Sequence, residues 1–262
     1  MEIEINIIKY LIVCPLVFLA GFIDSVAGGG GVISLPAYFL AGVPPYLAAG
    51  TNKFAACLGT LISTGKYMKN GKVRFKSALF SAVGALAGGA LGANAALHIS
   101  EEILHVIILS ALPVVAVFMT VKSKFGEDGG RDTGFSPFKT SVIAVLIGVL
   151  IGGYDGLVGP GTGTFLIIAY AGILGMDLLT SSGCAKVSNL ASNIASLSVY
   201  LLNGKVIFAL ALPAAVFCML GNYAGAQYAI KGGSRNVRKV MFVVLGLLFA
   251  KFGLEFLGVE LG

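Results

Sequence analysis

The sequence predicts an all-α membrane protein that crosses the bilayer several times. Apolar residues make up 57% of the 262 residues and charged residues only 11%, whereas about a quarter of the residues are charged in soluble proteins. The apolar residues come in runs of roughly 20, the length of helix that spans a hydrocarbon core. An internal repeat is the third observation. Between positions 50 and 96, 17 of 47 residues match the residue 133 positions later.

The first half contains five predicted helical elements, at about 7–27, 31–42, 46–66, 77–97 and 103–121. The start of the chain has no basic segment and no small-residue cleavage site, so element 7–27 is predicted to be a membrane segment and not a cleaved signal. Element 31–42 is too short to span a bilayer at about 1.5 Å per residue. It is therefore predicted to be the half-helix of a re-entrant or broken hairpin, followed by three spanning helices.

The second half repeats this order at about 138–155, 162–174, 181–202, 206–230 and 238–257. The predicted organisation is thus a first repeat at 1–121, a polar linker at 122–137 and a second repeat at 138–262, within one membrane domain. Glycines four residues apart in the fourth element of each half are predicted to let helices pack closely. These glycines are Gly84, Gly88 and Gly92, and Gly221 and Gly225.

The charges of the loops predict that the two repeats are inverted in the membrane. The loop at 66–76 carries five basic residues and should be cytoplasmic, whereas the loop at 98–102 carries Glu101 and Glu102 without Lys or Arg. In the second half the basic loop is instead the later one, at 231–239. Equivalent loops therefore lie on opposite sides, which places the linker in the cytoplasm and both termini outside.

Glycine-rich tips interrupt both predicted hairpins. Residues 28–31 are four glycines, and residues 159–163 read Gly-Pro-Gly-Thr-Gly. Non-helical backbone at membrane depth is tolerated only inside protein or along a wet cavity. A half-helix that begins there would point free N–H groups at an anion. We therefore predict that backbone groups bind substrate at Gly30, Gly31, Gly161 and Gly163, although close helix packing is the alternative explanation.

Lys53 and Lys186 lie at equivalent positions inside apolar runs. A charge at such a depth is costly and usually functional, while snorkelling to the interface is the alternative. Hydroxyl and amide side chains flank both lysines, and Asn193 shares a helical face with Asn189. Ammonium, hydroxyl and amide donors together suit a small oxyanion. The predicted substrate-binding side chains are Lys53, Lys186, Thr51, Asn52, Ser182 and Asn189.

Asp24 and Asp155 are repeated beside the two glycine-rich tips. Each is a candidate for ion coupling, because a buried carboxylate beside a cavity can relay protons. Helix capping and pairing with a lysine are the equally weighted alternatives. The four cysteines have no metal or redox spacing, and no nucleophile–base arrangement occurs. No metal, cofactor or enzymatic activity is predicted, and the basic residues are explained by membrane orientation without nucleic acid.

The glycine-rich first hairpin, the Thr51-Asn52-Lys53 step, the Asn-Gly-Lys-Val sequence at 70–73 and 203–206, and the second tip at 155–163 resemble the TauE/SafE sulfite-exporter family. The resemblance covers essentially the whole chain. It implies transport across the bacterial inner membrane of sulfite, of sulfonates such as sulfoacetate, or of related organosulfur anions. Gly29 stands in the first tip where Pro160 stands in the second, so the two hairpins need not be equally rigid.

The resulting hypothesis is a secondary transporter with alternating access at the repeat interface, coupled to protons or sodium ions. A passive anion channel would use the same residues, and a membrane subunit that handles sulfur compounds for a partner enzyme is the other alternative. The expected partners are a small anion and the lipid bilayer. Assembly of two copies of the chain into a homodimer is left open.

Overall fold

The computed structural model describes residues 6–104, 106–107, 130 and 133–256, without the side chains of 243–256. Every regular element in these ranges is helical. The long helices of the first half are α1 (Ile7–Ala27), α3 (Pro45–Lys69) and α4 (Phe75–Leu97), and α2 (Gly31–Leu40) is short. The second half comprises α5 (Pro137–Leu157), α6 (Thr162–Gly172), α7 (Leu178–Leu202) and α8 (Phe208–Phe256).

The first four helices of each half therefore follow the predicted order, and α1 has the predicted bounds. The largest difference lies in α8. The predicted loop at 231–239 is helical on both sides of Gly233, the one residue with non-helical backbone angles within α8 (φ 61°, ψ −157°). Glycine adopts such angles without steric cost, so the chain bends there without a long loop. Most of the predicted element 103–121 and of the predicted linker 122–137 lies outside the described residues.

The two short helices match the predicted half-helices. α2 has 10 residues and α6 has 11, which gives each a length of about 15 Å, half of a hydrocarbon core about 30 Å thick. Each follows a long helix, α1 or α5, and precedes a polar helix of 25 residues, α3 or α7. The chain thus forms two hairpins whose second arm is long enough to reach only about halfway across a bilayer.

The distribution of polar residues is that of a protein in lipid. Four segments are long and apolar enough to span a membrane, namely α1, α4, α5 and the 208–242 part of α8. Large apolar side chains such as Leu11, Leu91 and Leu150 are exposed on these helices. In contrast, α3 and α7 bury most of their hydroxyl and amide side chains. Because lipid cannot satisfy polar groups, the polar helices lie inside and the apolar helices surround them.

Glycines bring the two halves into close contact. A methyl group added at Gly84, Gly88 or Gly92 of α4 would overlap backbone atoms of Val145, Val149 or Gly153 of α5. Methyl groups at Gly221 and Gly225 of α8 would likewise overlap backbone atoms of α1. The fourth helix of each half therefore packs against the first helix of the other half, and the predicted packing role of these glycines is confirmed.

The equivalent helices α3 and α7 run in opposite directions. A methyl group at Gly50, near the start of α3, would overlap the carbonyl of Lys205, just beyond the end of α7. A methyl group at Gly183, near the start of α7, would overlap the carbonyl of Lys72, just beyond the end of α3. Each Asn-Gly-Lys-Val turn therefore packs against the beginning of the polar helix of the other half.

Candidate functional site

The two glycine-rich tips touch each other in the middle of the protein. A methyl group at Gly163 would lie 2.5 Å from Cα of Gly28, and one at Gly31 would lie 3.1 Å from Cα of Pro160. The Thr164 hydroxyl donates a hydrogen bond to the carbonyl of Ala27, at 2.6 Å. Gly28 has φ +81°, where a side chain would add strain. Glycine is therefore needed here for both backbone conformation and close approach.

Two ion pairs, each with a buried lysine, join the halves near these tips. The Lys53 ammonium lies 2.8 Å from Oδ2 of Asp155, and the Lys186 ammonium lies 2.8 Å from Oδ2 of Asp24. Each lysine of one half thus pairs with the repeated aspartate of the other half. Both aspartates adopt the lysine-pairing arrangement, one of the alternatives that the sequence leaves open. Because a buried pair that loses one partner costs about 3–5 kcal/mol, these four side chains also hold the halves together.

A polar network on α7 surrounds the Lys53–Asp155 pair. The Lys53 ammonium also donates to Oδ1 of Asn193, at 3.0 Å. The Ser192 hydroxyl donates to Oδ2 of Asp155, at 2.6 Å. The Asn193 amide nitrogen lies 3.5 Å from both Thr60 Oγ1 and Asn189 Oδ1. Lys53 is therefore held between two acceptors on different helices, and its carboxylate partner has a second donor.

A cavity of about 510 Å³, including its open mouth, lies beside the tips. Its wall combines three charged side chains, three amides, two hydroxyls and several glycines with a few small apolar residues. The charged and polar side chains are Asp24, Lys53, Asp155, Asn52, Asn189, Asn193, Ser34 and Thr162; the glycines are Gly21, Gly28, Gly30, Gly31, Gly159 and Gly163; and the apolar residues are Val17, Ala20, Ala56 and Cys218. Such a cavity offers an ammonium group, amide donors and the beginnings of two helices to an anion.

Eight of the twelve residues predicted for substrate binding or ion coupling line this cavity. They are Lys53, Asn52, Asn189, Gly30, Gly31, Gly163, Asp24 and Asp155. The other four, Lys186, Thr51, Ser182 and Gly161, are not part of its wall.

Each of these four residues has another place in the structure. Lys186 is fully buried beneath Asp24. The Thr51 hydroxyl accepts a hydrogen bond from the backbone N–H of Ile207, at 3.1 Å. The Ser182 hydroxyl donates to the carbonyl of Val26, at 3.2 Å. Gly161 precedes α6 in the left-handed conformation, with φ +79°. These contacts connect the two halves to each other or shape the second tip.

Several wall residues were not among the predicted site residues. Asn193 was recognised only as sharing a helical face with Asn189, and that spacing is the signal that could have placed it at the site. Ser34, Thr162 and Cys218 come from three different helices, and no spacing in the sequence links them. No group of three or more His, Cys, Asp or Glu side chains with the geometry for a metal ion occurs among the residues that the structure describes.

Comparison with known proteins shows similarity along nearly the whole chain. The family model described as "Sulfite exporter TauE/SafE" matches residues 13–252. The probable membrane transporter protein ORF9 of a Sinorhizobium species is 32% identical over 243 residues, which cover 93% of this chain and 91% of that protein. The probable membrane transporter protein YfcA of Escherichia coli K12 is 30% identical over 234 residues, 89% of this chain and 85% of that protein. No solved structure matches the chain.

Proposed function

Because the chain belongs to the TauE/SafE family of membrane transporters, we propose that it is a secondary transporter of a small sulfur-containing anion. Sulfite, sulfoacetate and related sulfonates are the proposed substrates. The observation that carries the proposal is a lysine in a polar cavity, at the point where two half-helix hairpins from the two halves meet. An ammonium group deep in a membrane protein is expensive and usually marks a substrate or ion pathway.

The proposed anion site consists of the predicted residues that line the cavity. Lys53 supplies the positive charge, Asn52 and Asn189 supply amide donors, and the chain around Gly31 and Gly163 supplies the positive ends of α2 and α6. Oxyanions bind well to ammonium groups and to helix N-termini. Small apolar side chains of the wall, such as Ala20 and Ala56, suit the short carbon chain of a sulfonate.

The charge balance of the site favours coupling to a cation. Lys53, Lys186, Asp24 and Asp155 form two neutral pairs, so an anion that binds Lys53 competes with the Asp155 carboxylate for the ammonium group. A proton or sodium ion bound at Asp155 or Asp24 would neutralise the carboxylate whose lysine binds the anion. We therefore propose that these two aspartates couple anion movement to a proton or sodium gradient.

Alternating access between two inverted repeats is the proposed mechanism. The antiparallel course of α3 and α7, the reciprocal ion pairs and the contact between the two tips support an inverted relation of the halves. Transporters built in this way move one repeat unit against another around a site at mid-membrane. With the charge distribution of the loops, this arrangement favours an inner-membrane protein with a cytoplasmic linker and both termini outside.

Transport in proteoliposomes tests the proposal. Purified protein would be assayed with sulfite, sulfate, thiosulfate, sulfoacetate and taurine, with and without a proton or sodium gradient. We expect at least one sulfur anion to accumulate above its equilibrium level only when a gradient is present. Lys53→Met should abolish this accumulation, whereas Lys69→Met, an exposed lysine at the end of the same helix, should not.

Three results would contradict the proposal. Equilibration of the anion without accumulation under any gradient would indicate a passive channel. Full activity of Lys53→Met would show that the cavity lysine does not bind the transported anion. Absence of transport for all five compounds would contradict the sulfur-anion assignment.

A further inference from the structure

We infer that the two lysine–aspartate pairs have different roles, in which Lys53 is the lysine that releases its aspartate to bind the anion and Lys186–Asp24 is a permanent tether. Of the two aspartates proposed for ion coupling, this division leaves Asp155 as the coupling residue. The anion-binding part of this inference rests on the proposed function. The division between a releasable pair and a permanent pair rests only on the contacts of the four side chains.

The environments of the two lysines differ. Lys53 lines the cavity, and its side chain is 8% exposed, whereas the Lys186 side chain is 0% exposed and is absent from the cavity wall. Lys186 makes both of its hydrogen bonds to one residue, at 2.8 Å to Oδ2 and 2.6 Å to the backbone carbonyl of Asp24. This carbonyl also accepts the N–H of Gly28. Lys186 therefore fastens α7 to the last turn of α1, and its ammonium lies behind Asp24, whose own side chain is 19% exposed and lines the cavity.

The residues that surround the two ion pairs differ between the two repeats. Around the Lys53–Asp155 pair, α7 contributes Asn189, Ser192 and Asn193. The positions 133 residues earlier, on α3, are Ala56, Gly59 and Thr60. Asp24 therefore has no counterpart of the Ser192 hydroxyl. Within the part of the chain that the structure describes, Lys186 is the only side chain that donates to its carboxylate.

This difference decides which pair can open. When Lys53 turns towards an anion, Asp155 keeps the 2.6 Å hydrogen bond from Ser192 and stays beside the cavity. A carboxylate that retains a hydrogen-bond donor is much less costly to leave without its counter-ion than one that retains none. If the Asp24 carboxylate were lost as a partner, the fully buried Lys186 ammonium would keep only a backbone carbonyl as acceptor. The Lys53–Asp155 pair is therefore built to open, and the Lys186–Asp24 pair is not.

Thermal unfolding of the full chain in detergent tests the division without any substrate. Asp24→Asn leaves the fully buried Lys186 ammonium without its counter-charge. Asp155→Asn leaves the Lys53 ammonium, which still donates to Asn193 and lines the cavity. We expect the Tm of Asp24→Asn to fall by at least about 5 °C more than that of Asp155→Asn. The double variant Asp24→Asn/Lys186→Met should regain most of this loss, because a neutral replacement of a buried pair is often tolerated.

A double-mutant cycle tests the role of Ser192. Lys53→Met alone should lower the Tm, but only in part because Ser192 still donates to Asp155, and Ser192→Ala alone should lower it less because Lys53 remains. Together they leave Asp155 without either partner, so the combined fall in Tm should clearly exceed the sum of the single effects. Ser196→Ala is the matched control. Ser196 is buried one turn later on α7 but donates to the carbonyl of Gly89, so its effect should add to that of Lys53→Met.

Equal losses of Tm in Asp24→Asn and Asp155→Asn would overturn the division into a tether and a releasable pair. Additive behaviour of Lys53→Met and Ser192→Ala would overturn the role given to Ser192. Both measurements are independent of transport. Failure to transport any sulfur anion would therefore count against the proposed function alone, and equal unfolding of the two aspartate variants would count against the division of roles alone.

Discussion

Adding one methyl group at Gly163 tests the contact between the two tips. Gly163 lies in the first turn of α6, and a Cβ atom there would be 2.5 Å from Cα of Gly28. Carbon atoms pack best at roughly 3.5–4.0 Å, so the backbone of the tips would have to separate by about 1 Å or more. The backbone N–H of residue 163 remains, which means that the change alters geometry without removing a proposed anion donor.

The expected cost follows from two opposing effects. Alanine in place of glycine in a helix contributes up to about 1 kcal/mol in favour of the variant. Overpacking against a neighbouring backbone costs about 1–3 kcal/mol, and the neighbour here is backbone that is itself held by the hydrogen bond from Thr164 to Ala27. We therefore expect a net loss of about 1–2 kcal/mol of stability and a large loss of transport.

Gly65→Ala is the matched control. Gly65 is also a helical glycine, in α3, but no atom lies within 4 Å of its added Cβ. The two variants would be compared by thermal unfolding in detergent and by transport in proteoliposomes. We expect Gly65→Ala to be as stable as the unmodified protein or more stable, with normal transport. If Gly163→Ala behaves like Gly65→Ala in both assays, the two tips do not touch as the structure shows.

Three further predictions concern other contacts between the halves. Gly28→Ala should lower the Tm and transport far more than Gly71→Ala, because both glycines have positive φ (+81° and +66°) but only Gly28 faces another backbone. Gly88→Ala and Gly221→Ala should each lower the Tm by separating equivalent helix pairs, α4 from α5 and α8 from α1, and a normal Tm in either would contradict that packing. Thr51→Val should lower the Tm, since the N–H of Ile207 loses its acceptor at a cost of about 1–3 kcal/mol. The apparent affinity of this variant for substrate should not change. A rise in KM would indicate that Thr51 contacts the anion after all.

Most of the helical order was predictable because polar turns and glycine tips divide the apolar runs. The bounds of α1 and the brevity of α2 and α6 follow directly from this pattern. The start of α7 was placed three residues late, at 181. Asp177 caps the helix by accepting the N–H of Thr180, at 2.9 Å, and this capping signal had been overlooked. Gly233 bends α8 where a loop was predicted, since a single glycine is enough for the change of direction.

Most side chains of the site were predictable from the sequence, but the contacts between them were not. Repetition identified both lysines and both aspartates, but a linear sequence does not specify that each lysine crosses to the aspartate of the other half. Thr51 was chosen because it is near Lys53 in sequence. Residues two apart on a helix point in different directions, and Thr51 faces the turn that precedes α8. Ser182 does share a face with Lys186, but that face packs against the end of α1 and not against the cavity.

The central claim is that the two halves lie upside-down relative to each other, so that their hairpin tips and charged residues meet in mid-membrane. Asn70 and Asn203 occupy equivalent, exposed positions in the two Asn-Gly-Lys-Val turns, which makes them suitable for labelling. In a background without the native cysteines, Asn203→Cys should react with a membrane-impermeant maleimide in intact cells, and Asn70→Cys should react only after the cells are opened. Reaction of both cysteines from the same side of the membrane would contradict the account.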